Sequence, residues 1–129
     1  VRPYFGGLCA VWAEDLTRRS IFDAFMKRRT YALTGARISL MFKVNGSPMG
    51  SELGLCEKRI IEVSSFGTDK IREIQILKNA ELLHRVTSIN GDTAKAVFSD
   101  KCSEPAFYHC RIVQKDGHLA VSTPVWVGC

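Results

Sequence analysis

A metal centre or an acid–base pair in this chain would have to be assembled from its three histidines, His84, His109 and His118, with carboxylates or thiols beside them. Metal-assisted hydrolysis needs several His, Asp or Glu ligands converging on one point. No HxH or HExxH spacing occurs, and Asp116-Gly117-His118 reads as a tight hairpin before it reads as a dyad. His84 and His109 fall within strand-like stretches, where a half-buried histidine is the simpler reading. Nucleophilic chemistry finds no better ground: Ser64-Ser65 lacks a GxSxG elbow. Gly6-Gly7 does not feed directly into a helix, as a phosphate loop would. No catalytic residue is therefore assigned.

Cys9, Cys56, Cys102, Cys110 and Cys129 are odd in number, scattered and without a CxxC pair. Neither a zinc knuckle nor a disulfide scaffold fits that pattern. Free thiols in a reducing compartment, which favours the cytoplasm, are expected. Cys110 is expected to point inward beside Tyr108 and Ile112. The 18 basic and 13 acidic residues leave a net charge of +5. They are interspersed except at Lys27-Arg28-Arg29, with Arg18 and Arg19 earlier, a cluster that suits either a solvated helix face or an anion-facing one. The aromatics fit buried strand positions rather than a basic surface, so nucleic acid is not an expected partner. No apolar run approaches the roughly 20 residues of a membrane helix, and no membrane partner is expected.

The elements that would position these groups are one helix and a series of strands. Over residues 17–29, Thr17 is placed to cap the amino end, with Leu16 and Ile21 as a hydrophobic staple. Ile21, Phe22, Phe25 and Met26 form one apolar stripe at helical spacing. After Gly35 the period becomes two: Ile38, Leu40, Phe42 and Val44 alternate with Ser39, Met41 and Lys43, and Asn45-Gly46 opens a turn. Further strands are expected at 59–66, 71–78, 81–87, 94–98, 106–114 and 118–127, with turns at Asn79-Ala80, Asn90-Gly91-Asp92 and Asp116-Gly117. About seven short strands with such punctuation predict a mainly β fold, an antiparallel immunoglobulin-like sandwich preceded by one α-helix.

Residues 6–50 link four motifs: GGL-x-AVWAE, TR-x-x-I-x-DA, RR-x-YA-x-TG-x-RI and NG-x-x-MG. This segment closely resembles the tail of an uncharacterised bacterial family related to the PHP (polymerase and histidinol phosphatase) superfamily of metal-dependent phosphoesterases. The stretch DGHLAVSTPVWV near the end resembles that family's closing strand. The resemblance implies an upstream distorted (β/α) barrel that carries the His and Asp metal ligands. Residues 1–35 would then hold the barrel's last helix, and 36–129 an appended sandwich domain. The chain would be an excised piece beginning just after the last metal-binding motif, with no cofactor of its own and a divalent metal in the parent protein.

Within that resemblance, Thr34, Gly35 and Arg37 mark the exit from barrel to sandwich. Gly35 permits a tight backbone, and Thr34 would bond to its own turn. Arg37 would either pin the helix to the sandwich through a salt bridge or, with Thr34 and Arg29, face an anion. Ile21, Phe22, Phe25 and Met26 become interface candidates, covered by the missing barrel or by a second copy in a homodimer. The expected function is a non-catalytic accessory sandwich of a metal-dependent phosphoesterase. A carbohydrate-, peptide- or partner-binding module is the alternative.

Overall fold

A computed structural model describes residues 8–87 and 89–129. After a first strand, β1 (Leu8–Val11), the chain enters its helix, α1 (Arg18–Met26). Thr17 caps it as expected, its hydroxyl accepting the Ser20 amide at 3.2 Å. The far end comes earlier than 29 because Arg28 turns left-handed, at φ 57°. There the Arg28 amide bonds the Phe25 carbonyl and the Arg29 amide that of Ala24, the crossed pair that closes a helix, usually with glycine at the turning position. The chain is thereby released into β2 (Thr30–Leu33).

One sheet contains β8 (Glu81–Val86), β7 (Ile71–Lys78) and β10 (Ala106–Gln114) in that order. On the other side of β10 lie β11 (Leu119–Ser122), which continues through β2 to β1, and β12 (Val125–Val127), which continues to β5 (Glu52–Leu53). The strand expected over 118–127 divides because Pro124 has no amide to donate. Its second half exchanges β2 for a parallel pairing with β5. The second sheet runs β4 (Ser47–Pro48), β3 (Ser39–Val44), β6 (Lys58–Phe66), β9 (Thr93–Lys101).

Alternation drives the two sheets together. Leu40, Phe42, Val44, Ile61 and Val63 from the second sheet bury against Ile74, Ile76, Tyr108, Cys110 and Ile112 from the first. Each large apolar side chain so buried contributes about 1.5–3 kcal/mol. His84 on β8 stacks on Phe98 of β9, centroids 4.7 Å apart, and helps close one edge. The fold is thus the expected antiparallel β-sandwich with a single helix among the described residues.

One expectation changes. Among the described residues the strands number twelve rather than about seven, because β1, β2 and the short β4 and β5 have too little sequence to show a period. Packing is continuous across residue 35. Strand β2 pairs with β11, Tyr31 and Leu33 are buried with the sandwich residues, and the Tyr31 hydroxyl donates to the Ile38 carbonyl at 2.9 Å. Residues 8–33 and 36–129 therefore share one packed interior.

Candidate interaction surface

Helix α1 rests on the sandwich through one small side chain, Ala24, which is 1% exposed. The apolar stripe faces outward instead: Phe22 is 64% exposed, Phe25 50% and Met26 65%, while Ile21 is half-buried. The helix is held by polar contacts just past its carboxyl end. Arg28 reaches across to the loop after β4, its Nε donating to the Gly50 carbonyl at 3.2 Å and its Nη2 to Glu52 Oε1 at 2.8 Å. The same guanidinium lies 5.1 Å from the Trp126 ring centroid. The Glu52 pair is too exposed to contribute much, so the stacking, about 0.5–1 kcal/mol, and the Gly50 bond carry the anchorage.

Trp12 fastens the segment between β1 and α1. Its amide donates to the Arg29 carbonyl at 2.9 Å and its indole Nε1 to the Leu40 carbonyl at 2.7 Å. Clefts of about 340 Å³ and 290 Å³ lie on either side of it, sharing Trp12, Ala13, Glu14 and Arg29. Arg19 and Asp23 rim the first, and Lys43 rims the second.

The three anion-site candidates are not gathered together. Arg29 and Thr34 lie at opposite ends of β2, roughly 16 Å apart at strand rise. Arg29 lines the Trp12 clefts, whereas Arg37 lines a separate groove with Leu8, Cys9 and Tyr31. Among the described residues Arg37 forms no ion pair, and the contact expected of it, joining helix to sandwich, is made by Arg28. Thr34 does not bond its own turn: its hydroxyl accepts the Leu119 amide at 2.9 Å and lies 3.0 Å from His118 Nδ1. Gly35, at φ 138°, sits against the same histidine. Asp116 accepts the His118 amide and the Gln114 side chain, so this group latches a hairpin. Asn45 and Gly46 make the β3–β4 turn as expected, both with positive φ.

Sequence reasoning passed over a buried polar cluster. Arg59 on β6 is fully buried; its Nε donates to the Cys56 carbonyl at 2.9 Å, its Nη2 to that of Glu104 at 2.5 Å and its Nη1 to the Tyr108 hydroxyl at 3.0 Å. Tyr108 donates in turn to Asp100 Oδ2 at 2.6 Å, which also pairs with Lys78 Nζ at 2.8 Å. Burial, reinforced by the Asp100 bond, raises the Tyr108 pKa and keeps the phenol a donor. Position parity was the available signal, since Arg59 shares the inward face of β6 with Ile61 and Val63. On β10, burial and the Arg111 charge hold the His109 imidazole below its ordinary range.

Among the described residues no three His, Cys, Asp or Glu side chains converge as metal ligands. None of the described helices is long and apolar enough to cross a membrane.

Residues 2–46 match the model of a family described as "Protein of unknown function (DUF3604)". A protein from Chlamydia muridarum (strain MoPn / Nigg), named "Uncharacterized protein", is 35% identical over 144 residues, covering 98% of this chain and 23% of its own length. One of the same name from Chlamydia trachomatis serovar D is 34% identical over 145 residues, with the same coverage. A third, from Chlamydia pneumoniae, is 33% identical over 142 residues and covers 96% of this chain. The chain spans about 23% of the length of these curated relatives. It is similar to one region of longer bacterial proteins, and its family match coincides with β1, α1, β2 and β3.

Proposed function

We propose that this chain is a non-catalytic accessory β-sandwich that docks, through the outward face of α1, on a PHP-like metal-dependent phosphoesterase domain of a longer protein. One observation carries the reading. The segment matching the family contains the one described helix, and that helix leaves Phe22, Phe25 and Met26 uncovered. Large apolar side chains grouped on a surface mark a place where something else packs. The chain supplies the docking face, and the metal chemistry resides elsewhere in the longer protein.

Two measurements test this. The isolated chain should not hydrolyse p-nitrophenyl phosphate with Mn²⁺, whereas the whole Chlamydia muridarum relative should. In the isolated chain the uncovered face should drive self-association in sedimentation runs, and Phe22→Asp should reduce it while changing stability by less than about 0.5 kcal/mol, as expected for an exposed position. Metal-dependent hydrolysis by the chain itself, or none by the whole relative, would sink the reading.

The clefts flanking Trp12 favour a second reading, a carbohydrate- or peptide-binding module with the indole as its platform. Glycan-array binding lost in Trp12→Ala would support that alternative.

A further inference from the structure

The cleft on the β3 side of Trp12, about 290 Å³, is put together from separate parts of the chain. The AVWAE stretch supplies Trp12 and Glu14, the turn after α1 supplies Arg29, β3 supplies Met41 and Lys43, and the β3–β4 turn supplies Gly46. Three of the four linked motifs of residues 6–50 thus meet in it. Its aromatic wall is fixed. The indole Nε1 donates to the Leu40 carbonyl at 2.7 Å, and the Trp12 amide donates to the Arg29 carbonyl at 2.9 Å. Among the described residues neither Arg29 nor Lys43 forms an ion pair, although both are half-buried and Glu62 stands opposite Lys43 on β6.

We propose that this cleft binds a hexuronate, one sugar-acid unit of an acidic polysaccharide. The ring lies on the Trp12 indole, its carboxylate is taken by Arg29 and Lys43, and its hydroxyls donate to the Glu14 carboxylate. The inference rests on the second reading above, in which Trp12 is a binding platform, and gives that platform a ligand class.

Each group in the cleft answers one part of such a ligand. A pyranose ring presents a face of C–H bonds that packs on an aromatic plate, whereas its hydroxyls need polar partners. Guanidinium and ammonium groups form charge-assisted hydrogen bonds to a carboxylate. Covering a half-buried guanidinium further is favourable only when an anion comes with the cover. A neutral sugar would leave both cations unmatched. Glu14 separates a sugar acid from an acidic peptide: the peptide brings the same charge, but no ring hydroxyls for this carboxylate to accept from, and meets it as repulsion. The volume lies at the lower limit of small-ligand clefts, enough for one ring. Phe22 lines the cleft on the other side of Trp12 and not this one, so docking through α1 leaves the sugar site open.

Calorimetry and proton–nitrogen NMR of the 129-residue chain with tetragalacturonate, its fully methyl-esterified counterpart and a tetraglutamate peptide test this. Tetragalacturonate should bind and should move the Trp12 indole resonance more than that of Trp126. The ester keeps the rings and loses the charge, so it should bind at least about tenfold more weakly, the loss expected when a charge-assisted hydrogen bond is removed. Lys43→Met, on the outer face of β3, should weaken tetragalacturonate by about the same factor. Glu14→Ala should weaken it as well, and a gain in affinity there would overturn the role given to that carboxylate. Equal binding of acid and ester overturns the sugar-acid assignment and leaves the platform reading standing. Peptide binding at the Trp12 indole, with no saccharide bound, overturns the assignment in favour of the peptide form of that reading. A Trp12 resonance unmoved by all three probes overturns both.

Discussion

Replacing Gly50 with alanine tests how the helix is held to the sandwich. Gly50 has φ +89°, and a Cβ built there would lie 2.2 Å from the Arg28 carbonyl oxygen and 2.6 Å from that of Lys27. Those are backbone atoms at the closed end of α1, so they cannot swing aside as a side chain could. Gly46, in the adjoining β3–β4 turn, has φ +78° and nothing within 4 Å of the same built atom. Both substitutions carry the left-handed penalty, about 1–2 kcal/mol. Only Gly50→Ala adds a steric conflict, about 1–3 kcal/mol by the measure of overpacked interiors.

Gly46→Ala should therefore cost about 1 kcal/mol and Gly50→Ala about 3 kcal/mol. At this chain length the gap corresponds to roughly 8 °C in Tm. Urea unfolding followed by tryptophan fluorescence suits the question, because both tryptophans sit at the junction: Trp126 beneath Arg28 and Trp12 bonded to the Arg29 carbonyl. If the helix end lifts before the sandwich melts, the native fluorescence shifts while the strand signal in circular dichroism stays. Equal losses in the two variants, with unchanged native fluorescence, would show that the close approach of Gly50 to Arg28 holds nothing.

Asp100 should give the buried cluster its pH dependence. Burial alone would raise its pKa, but the bonds from Lys78 and Tyr108 and the charges of Lys78 and Arg59 outweigh burial and hold it below 3.8. A carboxyl depressed in the folded state contributes stability above its unfolded pKa and loses it as pH falls through the folded one. Asp100→Asn should therefore cost about 3 kcal/mol at neutral pH, as expected when a buried pair loses one partner. The two proteins should converge in urea midpoint below pH 3.8, and a pH-independent difference would contradict the assignment. Trp12→Phe removes the bond to the Leu40 carbonyl and should cost about 1 kcal/mol. The near-ultraviolet circular dichroism of the remaining tryptophan should change little; no loss of stability would show that the indole bond is not maintained in solution.

The sandwich was legible wherever a strand was long enough to alternate. Leu40, Phe42 and Val44 on β3, and Tyr108, Cys110 and Ile112 on β10, are buried as their spacing requires. Strand β2 was not, because Lys27-Arg28-Arg29 reads as the basic last turn of a helix. Nothing in side-chain propensity signals that Arg28 takes the turning position usually given to glycine. Thr34 and Gly35 stand out in the sequence as a turn, but their partner His118 lies 84 residues beyond Thr34. Arg59 illustrates the same limit: its parity points it inward, yet Tyr108 is 49 residues away, and no local spacing connects them.

The apolar stripe of α1 shows why periodicity alone cannot tell a core face from a docking face. Three-to-four-residue spacing records that one side of a helix is apolar, and says nothing about which way that side is turned. Here rotation is fixed by two hydrogen bonds just past the carboxyl end of the helix. The Trp12 amide holds the Arg29 carbonyl, and the Gly50 carbonyl holds Arg28. Turning Phe22 and Phe25 toward the sandwich would break both contacts and drive the closed helix end into Gly50. A helix of nine residues is marginal by itself. Its outward orientation therefore persists only because the junction supplies the stability that burial of the stripe would otherwise have supplied. Any partner that covers the stripe adds to that stability, so docking and helix formation should strengthen together.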